Sequence, residues 1–293
     1  MQKNGDNRPD EELIAQSRSG DRKSLGKLVE RYRDFIYNLS FKMTANREDA
    51  ADMTQEILIK MITNLDGFRQ ESTFKTWLYK ITVNHILNDR KTRTKKKYSF
   101  AGFGETLDHT PDGELKATDD YGADKLVLIE ETKQTCMSGM LLCLDKKHRL
   151  VFILGELFGV KDKIGGQIME TSPENFRMIL SRAKKDLYSF MQDKCGLINK
   201  NNPCRCAKKT KSFIRAGYVN PKSLRFTANR LQTIEEAAGE KQRDMDNLLH
   251  NEYRQLFLQH NYLEGPEFIQ SLNKLLLSDK MKNIFNLNQN NKS

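Results

Sequence analysis

The sequence predicts an all-α protein built from several small helical units. Apolar residues recur at spacings of three and four along almost all of the 293 residues, which is the repeat of a helix with one buried face. Glycine and proline, at 17 and 6 residues, are sparse, and alternating runs of β-branched residues are rare. Charged residues make up 30% of the chain and hydrophobic residues 38%. This composition favours helical units with a large surface over one thick core.

Four parts follow one another along the chain. A helical domain is predicted over residues 10–97 and a second one over residues 125–194. The segment between them, residues 98–124, contains seven acidic residues against one lysine and no helical stripe, so we expect a flexible acidic linker. Residues 195–293 form a C-terminal extension, with a basic, cysteine-containing stretch followed by amphipathic helices. Those helices could pack on the other domains, inhibit them from within, or bind a regulator.

The first domain is predicted to contain four helices. Asp10, Asp21 and Asn46 are of the residue types that begin helices, and each precedes an apolar stripe. The fourth helix is predicted to begin near Phe74 and to run to about Arg93.

The fourth helix is a candidate nucleic-acid contact. Six of the eight residues 90–97 are basic, which is more than a helix C-terminus needs. A solvated charged face is the alternative, but the number of charges favours phosphate contact. The candidate residues on this helix are Lys75, Lys80, Asn84, Arg90, Lys91 and Arg93.

Aromatic residues lie in and beside the loop that precedes this helix. The rings of Phe68, Phe74 and Trp77 are of a kind that stacks on unpaired bases. For each ring alone, ordinary packing in the core is the better interpretation.

The third helix has a different surface. Asp52, Gln55 and Glu56 are spaced i, i+3 and i+4, so they share one face away from the apolar stripe. DNA would repel such a face. It is either solvated or a contact for a basic protein surface.

A helix-turn-helix is predicted around Ser172. Ser172 and Pro173 are typical of the N-cap and first position of a helix, and a short helix at about 163–169 precedes them across a tight turn. The second helix of such a motif enters the major groove of DNA. A generic helical hairpin also fits, but the basic flanks favour DNA. The candidate DNA contacts are Glu174, Arg177, Met178, Ser181, Arg182, Lys184 and Lys185.

Charge and cysteine content suggest partners and compartment. The net charge of +10 favours a polyanionic partner. The polar N-terminal sequence and the lack of a long apolar run predict a cytoplasmic protein. An odd number of cysteines, five, argues against a disulfide framework. Cys195, Cys204 and Cys206 with one further ligand could hold zinc, while reduced structural cysteines or a reactive pair are the alternatives. No other cofactor is expected.

Taken together, the two helical domains resemble regions two and four of the sigma-70 superfamily of RNA polymerase sigma factors, of the extracytoplasmic-function type. The resemblance covers about half of the chain, near residues 12–97 and 144–191. Its most specific segments are GDRKSLGKLVERYRDFIYNLSFKMTANREDAADMTQEILIKMITNLDGF, ESTFKTWLYKITVNHILNDRK and SPENFRMILSRAKKDL.

The resemblance implies a role for each candidate residue. It implies that Asp52, Gln55 and Glu56 dock on the clamp helices of core RNA polymerase. The loop from Phe68 to Lys75 would capture a base flipped from the minus-ten element, and the basic residues of the fourth helix would hold that element during melting. The helix-turn-helix would recognise the minus-thirty-five element through Glu174, Arg177, Met178 and Ser181 and contact phosphates through Arg182, Lys184 and Lys185. The linker would thread toward the polymerase cleft, and an anti-sigma factor would be a further partner.

Two departures from the family pattern lie in the helix-turn-helix. Glu170 stands in the tight turn where a small residue is usual, and Gly165 and Gly166 interrupt the first helix at a cost of about 1 kcal/mol each. The sequence therefore predicts weaker docking of these two helices. A stand-alone helix-turn-helix regulator is the alternative function. An enzyme has little support, because the sequence has no phosphate-binding glycine loop, catalytic triad or paired-acid site.

Overall fold

The structure, a computed structural model, describes residues 8–89, 98–116, 119 and 121–227. Throughout these ranges the regular structure is helical and no strand occurs, which confirms the predicted fold class for this part of the chain. None of the helices in the same ranges combines the length and apolarity needed to cross a lipid bilayer.

The described residues divide into two compact units. The first consists of residues 8–41 and 48–88, and the second of residues 42–47 with the described part of 89–227. The amphipathic helices predicted near the C-terminus lie outside the described residues.

The first unit is built from four helices: α1 (Asp10–Arg18), α2 (Arg22–Thr44), α3 (Arg47–Thr63) and α4 (Phe74–Asn88). The last three residues of α2 and the first residue of α3 fall within residues 42–47 and so belong to the second unit. Asp21 begins α2 as predicted, because its carboxylate accepts the backbone N–H groups of Lys23 and Ser24 at 3.1 and 3.2 Å. A 3-10 turn, Leu65–Gly67, follows α3.

Aromatic side chains join α2 to α4 in the core of this unit. The rings of Phe35 and Tyr79 stack with their centroids 3.8 Å apart. Tyr32 meets Phe74 edge to face at 5.4 Å. Arg18 donates to the carbonyls of Leu65 and Phe68, which ties α1 to the 3-10 turn and the loop after it.

The second unit contains α5 (Phe100–His109), α6 (Lys125–Cys143), α7 (Lys146–Phe152), α8 (Asp162–Ile168), α9 (Pro173–Lys194) and α10 (Cys206–Arg215). A π-helical turn, Ile153–Leu157, continues α7. The predicted start of α9 is confirmed, since the Ser172 hydroxyl accepts the Asn175 N–H at 3.1 Å and proline occupies the first position.

Arg149 on α7 closes the end of α6. Its guanidinium donates to the carbonyls of Leu141, Leu142 and Leu144 at 2.9, 2.8 and 2.9 Å and to that of Met43 at 2.6 Å. These bonds satisfy carbonyls that a helix end leaves without partners. Burial lowers the pKa of Arg149 to about 10, so the cation is held by carbonyl dipoles in a poorly hydrated position.

The prediction of a linker without helix is wrong for residues 100–109, which form α5. The rings of Phe100 and Phe103 lie 5.2 and 5.9 Å from the ring of Phe190 on α9. On α6, Gly139 makes room for Phe103, because a Cβ at this glycine would lie 2.7 Å from the ring. Packing of these two half-buried rings against Phe190, together with burial of Leu107, outweighs the acidic composition of this segment.

Candidate nucleic-acid and protein interfaces

The acidic-polar face of α3 is displayed at the surface. Asp52 and Glu56 are exposed and Gln55 is half-buried, while Met53 and Ile57 on the opposite side are buried in the core. The α-helix therefore presents two carboxylates and an amide on one side, fixed by packing of the other.

A buried histidine of α4, His85, contacts this face from below. The Nε2 atom of His85 lies 3.4 Å from a carboxylate oxygen of Glu56, and its Nδ1 atom lies 2.8 Å from the Lys60 ammonium. Since an ammonium only donates, Nδ1 accepts and Nε2 carries the proton that faces Glu56. Glu56 is thus both a surface carboxylate, 53% exposed, and a link between α3 and α4.

The aromatic residues before α4 lie mostly in the core. Phe68 and Phe74 are only 4% and 1% exposed, and Trp77 is half-buried against them with ring centroids 5.4 Å apart. The assignment of the Phe68 ring to base stacking is corrected accordingly, because a buried ring offers no free face. The exposed part of the loop is residues 69–73, where Gln70 adopts a left-handed backbone with φ of 59°.

Lys75, Lys80 and Asn84 lie along the described part of α4. The two lysines are exposed and the asparagine is half-buried, and Lys75 lies 5.6 Å from the centre of the Tyr79 ring. The remaining candidates, Arg90, Lys91 and Arg93, lie outside the described residues.

The two glycines of α8 allow the helix-turn-helix to form. A Cβ at Gly165 would lie 2.5 Å from two ring carbons of Phe176, and one at Gly166 would lie 2.8 Å from the Thr171 carbonyl oxygen. The prediction that these glycines weaken the docking of α8 and α9 is therefore wrong, since their lack of side chains permits the contact. Glu170 adopts φ of 52° in the turn, a left-handed conformation that is costly for a residue with a side chain.

The outer face of α9 displays six of the seven predicted DNA-contact residues. The side chains of Glu174 and Arg177 are 70% and 59% exposed, and Met178 is 51% exposed although it is a large apolar residue. The other three, also exposed, are Ser181, Arg182 and Lys185.

Arg177 is held by two carboxylates. Its guanidinium lies 2.9 Å from Asp162 at the start of α8 and 3.4 Å from Glu174. The pKa of Glu174 is lowered, first by a hydrogen bond from the backbone N–H of Glu174 itself and then by one from the Ser172 side chain. Both bonds favour the ionised carboxylate. Asp162 was not predicted as a site residue, because only the crossing of the two helices brings it near Arg177.

Lys184 contacts the interior of its own unit. Its side chain is 23% exposed, and its ammonium lies 3.0 Å from the carboxylate of Glu156 in the π-helical turn. The ammonium also lies 5.8 Å from the centre of the Tyr188 ring. The structure therefore separates Lys184 from the other candidate DNA contacts.

The cysteines of the extension are half-buried and reduced. Cys136 on α6 lies near them and was not predicted as a member of this group. Burial, followed by the neighbouring thiols Cys206, Cys204 and Cys195, raises the pKa of Cys136 well above its ordinary value. Burial also raises the pKa of Cys206 to about 12. In the described part of the chain, no group of three or more potential ligands is placed to hold a metal ion. Zinc binding stays a prediction that elemental analysis for one metal per chain would test.

Comparison with known families finds a match to the family described as Sigma-70 region 2 over residues 28–96. The matched span contains the acidic face of α3, the loop after it and all of α4.

Several curated proteins are similar to this chain over most of their own length. The ECF RNA polymerase sigma factor SigW of Bacillus subtilis is 29% identical over 180 residues, which are 61% of this chain and 95% of SigW. The ECF RNA polymerase sigma-E factor of Escherichia coli (strain K12) is 28% identical over 184 residues, covering 62% of this chain and 94% of that protein. A chain in the solved structure of CnrH in complex with the cytosolic domain of CnrY is 19% identical, with a TM-score of 0.45 over 63% of this chain and 97% of that one.

Proposed function

Because this chain belongs to the sigma-70 superfamily, as an RNA polymerase sigma factor of the extracytoplasmic-function type, we propose that it binds core polymerase, recognises promoter DNA and opens the duplex for initiation. The observation that supports this most strongly is the presence, in one chain, of a region-two match and a separate helix-turn-helix with an exposed face on its second helix.

We propose that the acidic-polar face of α3 is the polymerase-binding surface. Asp52 and Glu56 are exposed carboxylates in a chain with a net charge of +10, so they are poorly suited to DNA and well suited to a basic protein surface. Their backbone is rigid because the opposite side of α3 packs in the core. A preformed face loses little conformational entropy on binding.

We propose that the exposed loop 69–73 and the basic side of α4 hold the separated strands of the minus-ten element. Lys75, Lys80 and Asn84 supply polar contacts in the described residues, and Arg90, Lys91 and Arg93 continue the series. Opening the duplex exchanges base pairing for protein contacts, and each captured base contributes roughly 1–3 kcal/mol when stacked. With Phe68 buried, the stacking partner is Trp77 or a group of the loop itself.

We propose that the exposed face of α9 recognises the minus-thirty-five element. Arginine reads guanine through two parallel hydrogen bonds, and Arg177 is held in place by Asp162 and Glu174 before DNA arrives. Arg182 and Lys185, further along the helix, are placed for phosphates. An anti-sigma factor is a further partner that family membership suggests, and no residue is assigned to it.

The two kinds of contact on α9 predict different mutant behaviour. Replacing Arg177 by alanine should cost about 1–3 kcal/mol at promoters that carry its preferred base and relax discrimination at that position. Replacing Lys185 by alanine should weaken all promoters alike and lower the salt slope by about one. Binding to a panel of promoter fragments at several salt concentrations measures both effects, and the same promoter profile for the two variants would contradict the assignment.

Transcription from purified components tests the proposed function. Added to core polymerase, the chain should direct transcripts from particular promoters, and core polymerase alone should not. Specific DNA binding without any transcript across many promoters would favour the alternative, a stand-alone helix-turn-helix regulator.

A further inference from the structure

The acidic linker is paired with the basic extension in the second unit. Three linker aspartates each lie within ion-pair distance of a lysine at or beyond the end of α9: Asp108 and Lys194 at 2.5 Å, Asp112 and Lys209 at 3.0 Å, and Asp119 and Lys211 at 2.8 Å. We call these six residues the linker clasp.

Backbone contacts fix the register of the linker along α10. The Gly113 N–H donates to the Lys208 carbonyl at 2.8 Å, and the Ser212 hydroxyl donates to the Pro111 carbonyl at 2.7 Å. The Lys209 ammonium also donates to the Thr110 carbonyl. The linker therefore follows one side of α10 instead of touching it at a single point.

Two lysines of the clasp are largely covered by this arrangement. The side chains of Lys209 and Lys211 are only 10% and 15% exposed. The hydrogen bond from Lys211 is the main cause that lowers the pKa of Asp119, which favours the charged form of this carboxylate. An ammonium with little water around it needs a compensating anion, which the linker supplies.

The end of the described extension is anchored independently of the clasp. The carboxylate of Glu131 on α6 is 1% exposed and accepts the backbone N–H groups of Arg225, Phe226 and Thr227 at 2.6, 3.0 and 3.0 Å. It also accepts the Thr227 hydroxyl at 3.0 Å. Since α10 packs on α6 as well, the basic helix keeps its place whether or not the linker covers it.

We propose that the basic side of α10 is a second contact for the DNA backbone, and that the linker carboxylates occupy it in the free protein. Residues 195–230 contain nine basic residues and no acidic one, which is the composition of a phosphate-binding surface. The lysines of the clasp hold carboxylate oxygens with the same charge-assisted hydrogen bonds that they would make to phosphate oxygens. DNA and the linker therefore compete for Lys209 and Lys211. We take DNA as the competing polyanion because α9, in the same unit, is the helix proposed to bind it.

The linker in this competition lowers affinity for all DNA, and the lysines of α10 add affinity without adding sequence information once the linker is displaced. Phosphate contacts position a protein on DNA, whereas base contacts specify the site. While the linker covers α10, random DNA that meets the protein cannot form phosphate contacts with Lys209 and Lys211. Once α9 holds DNA, displacement of the linker adds them.

Removal of the linker charges tests the proposal on DNA alone. Asp112→Asn with Asp119→Asn should tighten binding to a random-sequence duplex roughly threefold to tenfold at low salt and steepen the salt slope by about two, one for each freed lysine. The matched control is Glu105→Gln with Glu114→Gln, which removes the same charge from exposed linker positions outside the clasp. Further addition of Lys209→Gln and Lys211→Gln to the aspartate variant should abolish the gain. Equal slopes for the aspartate variant and the control would overturn the proposal.

Hydrogen exchange at Gly113 reports the linker directly in the unaltered chain. Its amide, bonded to Lys208, should exchange slowly in the free protein and several times faster when the duplex is added. Unchanged protection in saturating DNA would show that the linker stays in place and would also overturn the proposal. Neither measurement uses polymerase, so failure here leaves the proposed sigma function standing, and failure of polymerase binding leaves this proposal standing.

Discussion

Replacing Asp52 and Glu56 together by arginine should abolish binding to core RNA polymerase while the helices of the first unit stay folded. Both side chains are exposed, so two arginines fit without disturbing the core. Reversal turns two attractive contacts into repulsion against a basic surface, and like charges across an interface cost several kcal/mol. Binding should fall at least about a hundredfold, which is roughly 2.7 kcal/mol. Titration of fluorescently labelled chain with core polymerase measures it.

Two controls separate this effect from charge and from folding. Glu11→Arg with Glu12→Arg makes the same change in net charge on exposed positions of α1 and should leave polymerase binding close to wild type. The single variant Asp52→Arg keeps the contact of Glu56 with His85, so its loss of affinity cannot come from disturbing that pair. Wild-type affinity in the double variant would refute the assignment of this face.

Enlarging Gly165 should destabilise the second unit, although helix propensity favours almost any other residue. A Cβ would lie 2.5 Å from the ring of Phe176, which is 1% exposed and cannot swing into solvent. Overpacking costs about 1–3 kcal/mol and the gain in propensity is about 1 kcal/mol, so alanine should cost up to about 2 kcal/mol and leucine, with its larger side chain, at least about 3 kcal/mol. Urea unfolding followed by circular dichroism measures the change. The leucine variant should also lose recognition of the minus-thirty-five element.

A second glycine, Gly26, serves as the control for the loss of stability expected on replacing Gly165. Gly26 lies exposed within α2 and a Cβ there would meet nothing within 4 Å, so Gly26→Ala should stabilise by about 0.5–1 kcal/mol. Adding Phe176→Leu to Gly165→Ala should recover part of the loss, because the shorter side chain relieves the clash. Stabilisation by Gly165→Ala of the same size as by Gly26→Ala would contradict the packing of α8 on α9.

Helix starts and the exposed face of α9 were predictable because they depend on neighbours in the sequence. Asp21 and Ser172 cap their helices through residues two or three positions away, a local chemistry that any sequence displays. The same 100° periodicity that marks a buried stripe also identifies the residues opposite to it, such as Met178.

Contacts between distant segments were not predictable in this way. Lys184 looks like a basic flank of α9, but Glu156, 28 positions earlier in the numbering, draws it inward. Gly165 looks like a weak point of a helix until the Phe176 ring is placed against it. In the linker, the acidic composition did not indicate that two phenylalanines anchor α5 on α9. It also did not indicate that lysines of α10 pair with the linker aspartates. Each of these depends on which helices cross, which one sequence does not determine.

Permanganate reactivity of thymines in a promoter fragment tests duplex opening most directly. With core polymerase and this chain together, thymines near the minus-ten element should become reactive, because their bases leave the helix. Core polymerase alone, or with the Asp52→Arg, Glu56→Arg double variant, should leave them protected. Thymines that stay unreactive in the complete mixture, on a promoter to which the chain binds, would contradict the account.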